Sequence, residues 1–536
     1  MAEPEVEVGG AVVQSLCAAP GEAHLDAVAA RVAHAVAAVE PSGERDRWEE
    51  RFRDLISRCL LLPSVPILAN AGRSDQLAAC YVLEPEDSLE SIYRTLGLAA
   101  AIQQGGGGAG VDFSRLRPAG ARIVRSGGIS PGPLAFVELF ARSALVNRRA
   151  GRRPGAHLAV LSIAHPDAPE LVRAARTRRE SLAGVGLALA LDDAFLRAAE
   201  AQGSGPSRLL DEISAAILET GEPSLLFVDT IEAANPVPEL GRIRAANPCG
   251  EQPLLPGESC LLASLDLPRF ADERGELDWD SLGLAAAAGV RFLDDALERA
   301  RFPSEAIERA SLRTRKVGLG YLGLADLALR RGLAFDGPAC RELAGEVTRF
   351  VGERAHAESR ELAAERGAFP AQRAGPPRRN ATVLAIAPTG TLRLISGSSG
   401  GIEPLLDPVH DLELAGRGLR FVDRHVRAWL AGRAADPEAV LEALARGEPS
   451  ESLPGLSDSD RRLLRRGGEL DPAAQIGIQA EVQRSVDGAV SKTVHLPRGA
   501  DAPQVRELVR LAHRTRCKGV ALYRAPALGG VPPSGP

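Results

Sequence analysis

Apolar positions recur at helical spacing near the start of the chain. Leu25, Val28, Ala29, Val32, Ala35, Val36 and Val39 fall on one face and predict an amphipathic helix within 22–40. A second helix is expected from about Trp48 to Leu62, stopped by Pro63, so 1–62 reads as a helical N-terminal segment. Pro63 to Gly72 reads as extended or looped. The run CYVL from Cys80 is strand-like, and Asp87 with Glu90 forms a D-x-x-E cap for a helix through Ala101 that ends in Gly105 to Gly108. Further along come a strand near Gly184 to Leu191, a helix from Asp193 and a strand at Ser224 to Asp229. Helices follow at about 280–301 and 338–366, and Thr382 to Ala387 (TVLAIA) reads as a buried strand. Residues 432–472 are polar and proline-punctuated, an insertion or a set of surface helices. The last elements are VSKTVHLP at 490–497, a helix over 502–515 and the strand KGVALYR at 518–524, before a Pro/Gly-rich tail over 525–536 that is expected to be flexible. Strands alternating with helices predict an α/β fold.

Composition narrows the partners. A chain of 536 residues holds three or four ordinary domains or one large α/β body with extensions. With a net charge of -6 there is no basic field for nucleic acid, and no apolar run reaches the ~18 residues of a membrane helix. A small-molecule partner is expected, with neither nucleic acid nor membrane. Glu3, Glu5 and Glu7 stand where a signal peptide needs basic residues, which points to the cytoplasm. Seven cysteines (17, 59, 80, 249, 260, 340, 517) form no CxxC or other zinc spacing, so no metal ligands are assigned and any cysteine role is catalytic or none.

The densest chemistry lies in ANPCGEQPLLPGESCLLASLDL, 246–267. Pro248, Gly250, Pro253, Pro256 and Gly257 exclude a helix or strand interior, so Cys249 is a loop residue with Asn247 and Glu251 two positions either side. An amide and a possible base then stand within reach of whatever the sulfur attacks. The alternative for this segment alone is a buried apolar cysteine in a turn. Gly105 to Gly108, followed by Ala109 and Gly110, would let backbone approach a ligand closely or would simply turn the chain; a P-loop lysine is missing. Pro388, Thr389, Gly390, Thr391 and Leu392 follow the TVLAIA strand and precede a helix. That geometry suits phosphate, or a plain β-to-α turn.

In order along 50–524, QLAACYVLEPEDSLESI, GGGGAGVDFSRLRP, FVDTIEAANP, NPCGEQPLLPGESC, RKVGLGYLGLADL, APTGTLRLISGSSGGIEP, SKTVHLP and KGVALYR resemble the catalytic chain of ribonucleotide reductase, specifically the class II, adenosylcobalamin-dependent type. The resemblance implies a ten-stranded α/β barrel over 63–524, built from two antiparallel five-stranded halves around a finger loop. It implies that Cys249 is the thiyl radical that takes the ribose 3′ hydrogen, that Glu251 takes the 3′-hydroxyl proton and that Asn247 bonds the ribose hydroxyls. Cys80 and Cys260 would deliver two electrons and end as a disulfide. Substrate contacts would come from Val65, Ala79, Cys80, Gly108, the run Asn247, Pro248, Cys249, Gly250 and Glu251, and the turn Pro388, Thr389, Gly390, Thr391 and Leu392. Asp87, Arg117, Arg152 and Arg153 match positions that read a dNTP effector at a homodimer interface; a helix cap for Asp87 and solvated charge for the arginines are the plain alternatives.

Some positions depart from the family pattern. Val65 in PSVP replaces a serine or threonine, removing one substrate hydrogen bond, and CLLASLDL replaces CNLGSINL. The start of the chain is too short for an ATP-cone, so adenine-nucleotide control of overall activity is expected to be absent. The four tyrosines (81, 93, 321, 523) include no adjacent pair for an external radical, and the tail has no glycyl-radical motif, which leaves cobalamin. The twelve residues after Arg524 contain no cysteine, so thioredoxin or another external dithiol is expected to reopen the disulfide. The expected activity is reduction of a ribonucleoside di- or triphosphate. The alternatives are a catalytic subunit fed by a separate radical-generating protein and a non-catalytic nucleotide-binding paralogue, and the joint presence of Asn247, Cys249, Glu251, Cys80 and Cys260 favours the enzyme.

Overall fold

The computed structural model describes residues 4–124, 127–148, 155–414 and 416–525. Two N-terminal helices, Leu25–Ala37 and Arg45–Ser57, pack together through Val28, Val32, Val36, Phe52, Leu55 and Ile56, all fully buried. The second is shorter than its apolar pattern: Cys59 turns the chain left-handed at φ 54°, and Leu61 to Pro63 leave the helix as a strand. Phe52 meets Phe292 edge-on at 5.2 Å and Arg291 lies over Trp48 at 4.6 Å, which fastens this pair to the long helix Trp279–Arg299.

Among the described residues the strands are β1 Leu61–Pro63, β2 Cys80–Leu83, β3 Gly108–Asp112, β4 His157–Ser162, β5 Gly186–Leu191, β6 Ser224–Phe227, β7 Ala245–Ala246, β8 Pro253–Leu254, β9 Ser259–Asp266, β10 Val317–Leu322, β11 Val409–Leu414, β12 Arg417–Val422, β13 Thr493–His495 and β14 Gly519–Tyr523. β2 to β6 are parallel neighbours in chain order, each return made by a helical crossover. At one side β6 pairs antiparallel with β14, and β14 pairs parallel with β13. At the other, β2 pairs antiparallel with β9, which carries β1 on the same edge and β10, parallel, on the opposite one. Even-numbered residues of β2, β4 and β5 (Val82, Leu158, Val160, Ala188, Ala190) join Cys260 and Leu262 in an inner apolar cluster, whereas odd-numbered neighbours such as Tyr81, Ala159 and Leu189 face the helices.

Thr382 to Ala387 is buried and extended as expected. It is hydrogen-bonded to β10 on one side and to 488–491 on the other, with bridges Leu319–Leu384 and Ile386–Val490. Pro63 to Gly72 differs from expectation, because Val65–Asn70 is a short helix with Pro66 in its first turn, where proline's fixed φ is tolerated. Within 432–472 the structure has helices Pro437–Ala445 and Asp458–Leu463. Among the described residues no helix is long and apolar enough to cross a membrane.

Candidate active site

β7 and β8 pair as a short hairpin, Ala246 against Pro253, with Cys249 in the connecting turn. The Asn247 side chain braces that turn. Its Oδ1 accepts from Gln252 N at 2.9 Å, and Gly250, at φ 82°, donates its N–H to the Asn247 carbonyl at 3.0 Å. From below, Ala489 N donates to the Glu251 carbonyl at 2.7 Å. The glycine run explains how the hairpin fits against β3. A Cβ on Gly110 would overlap the Ala246 carbonyl oxygen, and one on Gly108 would lie 2.9 Å from Pro248 Cγ. These glycines therefore admit close approach of protein backbone at the start of a strand.

The braced loop faces β2. Asn247 Nδ2 donates to Cys80 Sγ at 3.0 Å, and Cys80 Sγ–H points to Glu251 Oε1 at 3.6 Å. Cys80 stands opposite Cys260 in the β2–β9 register. Burial pushes the Glu251 carboxyl up to about 7, against the lowering effect of its hydrogen bonds. Its Oε2 has no hydrogen-bond partner among the described residues. Burial, reinforced by the Glu251 charge, holds both the Cys80 and Cys260 thiols well above the ordinary range, so both keep their protons at neutral pH. Cys249 is half-buried, which sets aside the reading of a fully buried turn cysteine.

A cleft with about 730 Å³ of empty space, open to solvent, gathers these groups. Of the residues expected at a substrate, Val65, Ala79, Cys80, Gly108, Asn247, Pro248, Cys249 and Glu251 line it, as does the whole turn Pro388 to Leu392. Gly250 shapes the loop without lining the cleft, and Cys260 lies behind Cys80. The helix Gly390–Ser396 starts at the cleft, so its first N–H groups lack intrahelical partners there. Sequence reasoning missed Ser64. Its buried Oγ has no partner among the described residues and lines the wall beside Val65; the signal was its place in PSVP.

Asp87 lies away from this cleft and does not cap its helix. Ser88 is the cap, its hydroxyl accepting from Ser91 N at 3.2 Å, because Asp87 is drawn into an ion pair with Arg117 at 2.7 Å. Arg152 and Arg153 lie outside the described residues.

The sequence matches the family model of the ribonucleotide reductase barrel domain over residues 78–207, 205–376 and 376–523, and that of the ribonucleotide reductase all-alpha domain over 21–76. It is 41% identical over 519 residues to a vitamin B12-dependent ribonucleoside-diphosphate reductase of Mycobacterium tuberculosis, covering 92% of this chain and 75% of that protein. A protein of the same name from Thermoplasma acidophilum is 32% identical over 498 residues, covering 88% of this chain and 65% of that one. In fold, the class Id ribonucleotide reductase alpha subunit of Actinobacillus ureae superposes with a TM-score of 0.84 over 98% of both chains, at 22% identity.

Proposed function

Because this chain belongs to the ribonucleotide reductase family, we infer that it reduces ribonucleoside diphosphates to 2′-deoxyribonucleotides with adenosylcobalamin, as a class II enzyme. The diphosphate level follows the names of its mycobacterial and archaeal relatives. One observation carries the reading of the site: Asn247, Cys249 and Glu251, on one braced turn, share a cleft with Cys80, which stands opposite Cys260.

The sheet reads as a ten-stranded barrel. β9 leads through β10, 382–387 and 488–495 to β14, and β14 to β6, so the two parallel halves meet at antiparallel seams with the β7–β8 hairpin as the finger loop inside. Adenosylcobalamin, when bound, supplies the homolytic chemistry that converts the Cys249 thiol to a thiyl radical. The residues fit that demand, since Cys249 is half-buried at a solvent-open cleft whereas Cys80 is buried in its wall and Cys260 lies outside it, so Pro248 and Cys249 would face the cofactor.

The remaining steps belong to side chains. Cys249 takes the ribose 3′ hydrogen while Glu251 accepts the 3′-hydroxyl proton and Asn247 orients the hydroxyls; one rigid turn holds all three against one sugar ring. The 2′-hydroxyl leaves as water. Both S–H bonds of Cys80 and Cys260 break, one proton leaving with the 2′-hydroxyl as water and the other hydrogen ending on C2′ with the two electrons, an S–S bond forms, and Glu251 gives its proton back to the 3′ oxygen. Cys249 then returns the 3′ hydrogen. Thr389 to Leu392 receive the phosphates on backbone N–H groups, and Ser64 offers the hydroxyl that Val65 lacks. An external dithiol, thioredoxin or a smaller one, reopens the disulfide.

Asp87, Arg117, Arg152 and Arg153 are assigned to a dNTP effector at a homodimer interface. The exposed Leu89, Tyr93 and Val146, on the helices Leu89–Gln104 and Pro133–Arg148, support that surface. The test of function is anaerobic incubation with adenosylcobalamin, a dithiol and each ribonucleoside di- and triphosphate. Deoxynucleoside diphosphate is expected, and no deoxynucleotide from any substrate would overturn the reading.

A further inference from the structure

The two redox cysteines stand in a row that continues past Cys260. β10 runs parallel to β9 in a register that begins at Val317 and Leu261, so Lys316 comes level with Cys260 one residue earlier. Glu258 stands one residue ahead of β9, and its charge acts on the Cys260 thiol. Lys316 Nζ donates to Glu258 Oε2 at 2.7 Å, with side chains 1% and 2% exposed. The Thr314 hydroxyl and the Leu255 N–H, each at 2.7 Å, complete the Glu258 carboxylate. Glu258 thus engages one of the three N–H donors of Lys316 and fixes the ammonium on the side of Cys260 away from Cys80.

The two sulfurs differ in every other respect. Cys80 lines the cleft beside Gly108, which puts no side chain next to it, and it touches Asn247 and Glu251. Cys260 is fully buried and lies outside the cleft, and its thiol donates to the Leu261 carbonyl at 3.4 Å. Burial is the largest influence on both thiols. After it, Glu251, Cys260 and Cys249 all disfavour a Cys80 thiolate, whereas at Cys260 the opposing Glu251 charge is followed by Lys316, which favours the thiolate, and by the weaker Glu258.

We propose that Lys316, held by Glu258, is a positioning residue that makes Cys260 the leaving sulfur and Cys80 the attacked sulfur when an external dithiol reopens their disulfide; this rests on the reading of the two cysteines as electron donors given above. The incoming thiolate forms an S–S bond to Cys80, the Cys80–Cys260 bond breaks, and its electron pair leaves on Cys260 beside the ammonium. The reductant's second thiol then displaces Cys80 from the mixed disulfide. The reductant departs oxidised, and each cysteine takes up a proton. Exchange is faster when the departing thiolate is stabilised and when the attacked sulfur is accessible. The ammonium lies on the Cys260 side and the cleft on the Cys80 side, so both conditions select the same direction.

The test uses the full chain with its disulfide formed in two ways, by one turnover and by diamide, then challenged with 2-mercaptoethanol, quenched in acid and mapped by peptide mass. The adduct is expected on Cys80, with Cys260 free, in about tenfold excess over the reverse. Lys316→Arg should keep that partition. Lys316→Met combined with Glu258→Gln, which leaves no lone buried charge, should slow exchange about tenfold and even out the partition. An adduct mainly on Cys260 in the unmodified chain, or an unchanged rate and partition in the neutral variant, would overturn the proposal. If the neutral variant does not fold, the unmodified chain decides alone. Failure of turnover to form the disulfide would overturn the redox reading instead, and the diamide-treated chain would still decide this one.

Discussion

In the proposed reaction Glu251 has to accept a proton from a hydroxyl within a site that resists its charge. Burial raises its carboxyl to about 7, and only the ionised form is a base, so kcat/KM is expected to rise about tenfold per pH unit below 7 and to level off above it. A flat profile between about pH 5.5 and 8 would remove Glu251 from that role. Glu251→Gln should lower kcat by about 10²–10⁴ with little change in KM. Cys249→Ser should bind nucleotide normally and form no product, because an alcohol O–H bond is too strong to yield the radical; turnover in that variant would contradict the assignment. Much of this site was legible, since loop-breaking prolines and glycines mark the turn and the residues two either side of Cys249 mark its partners. Ser64 carried only the weak signal of its place in PSVP, and what marks it is a buried hydroxyl without a partner among the described residues.

At the scale of elements, the site depends on how closely backbones approach. Gly110→Ala would drive a Cβ into the Ala246 carbonyl, and the hairpin carrying Cys249 would have to move. A loss of about 1–3 kcal/mol in denaturant unfolding, together with a disproportionate loss of turnover, is expected; full activity would show that the hairpin does not need its present seat. The run of glycines left a turn and a ligand contact open in the sequence, because nothing local says which backbone arrives from elsewhere in the chain. β10 is set by a different device. Asp294, fully buried, accepts from Arg315 Nη2 at 2.8 Å, Arg379 Nε at 3.1 Å and Asn380 Nδ2 at 3.0 Å, tying the start of β10 and the approach to 382–387 onto the helix Trp279–Arg299. Asp294→Ala takes a buried carboxylate from Arg315 and from the half-buried Arg379, leaving Glu298 as the acidic partner of both, and a loss of about 3 kcal/mol in unfolding free energy is expected. Apolar periodicity located the helix of Asp294. The role of that residue was hidden, as was the switch from Asp87 to Ser88 as helix cap, since both depend on an arginine distant in sequence.

For the whole molecule, alternation of strands and helices indicated α/β, but not that β9 would be the hub with β1 and β2 on one edge and β10 on the other. Cys80 and Cys260 face each other only through that long-range pairing, which no local pattern encodes. The apolar surface of the helices Leu89–Gln104 and Pro133–Arg148 is expected to join two copies when a dNTP binds near Asp87 and Arg117. Light scattering should then show a shift to dimer, and substrate preference should change with the dNTP; a monomer whose selectivity ignores every dNTP would remove the effector assignment. The central claim is that Cys249 starts a reduction that Cys80 and Cys260 complete. Its most direct measurement is a single turnover of the pre-reduced chain with adenosylcobalamin and a ribonucleoside diphosphate, anaerobically and without external reductant, followed by peptide mapping. The expected result is deoxynucleotide formed in step with a Cys80–Cys260 disulfide, Cys249 remaining a thiol; deoxynucleotide formed while Cys80 and Cys260 stay reduced would contradict it.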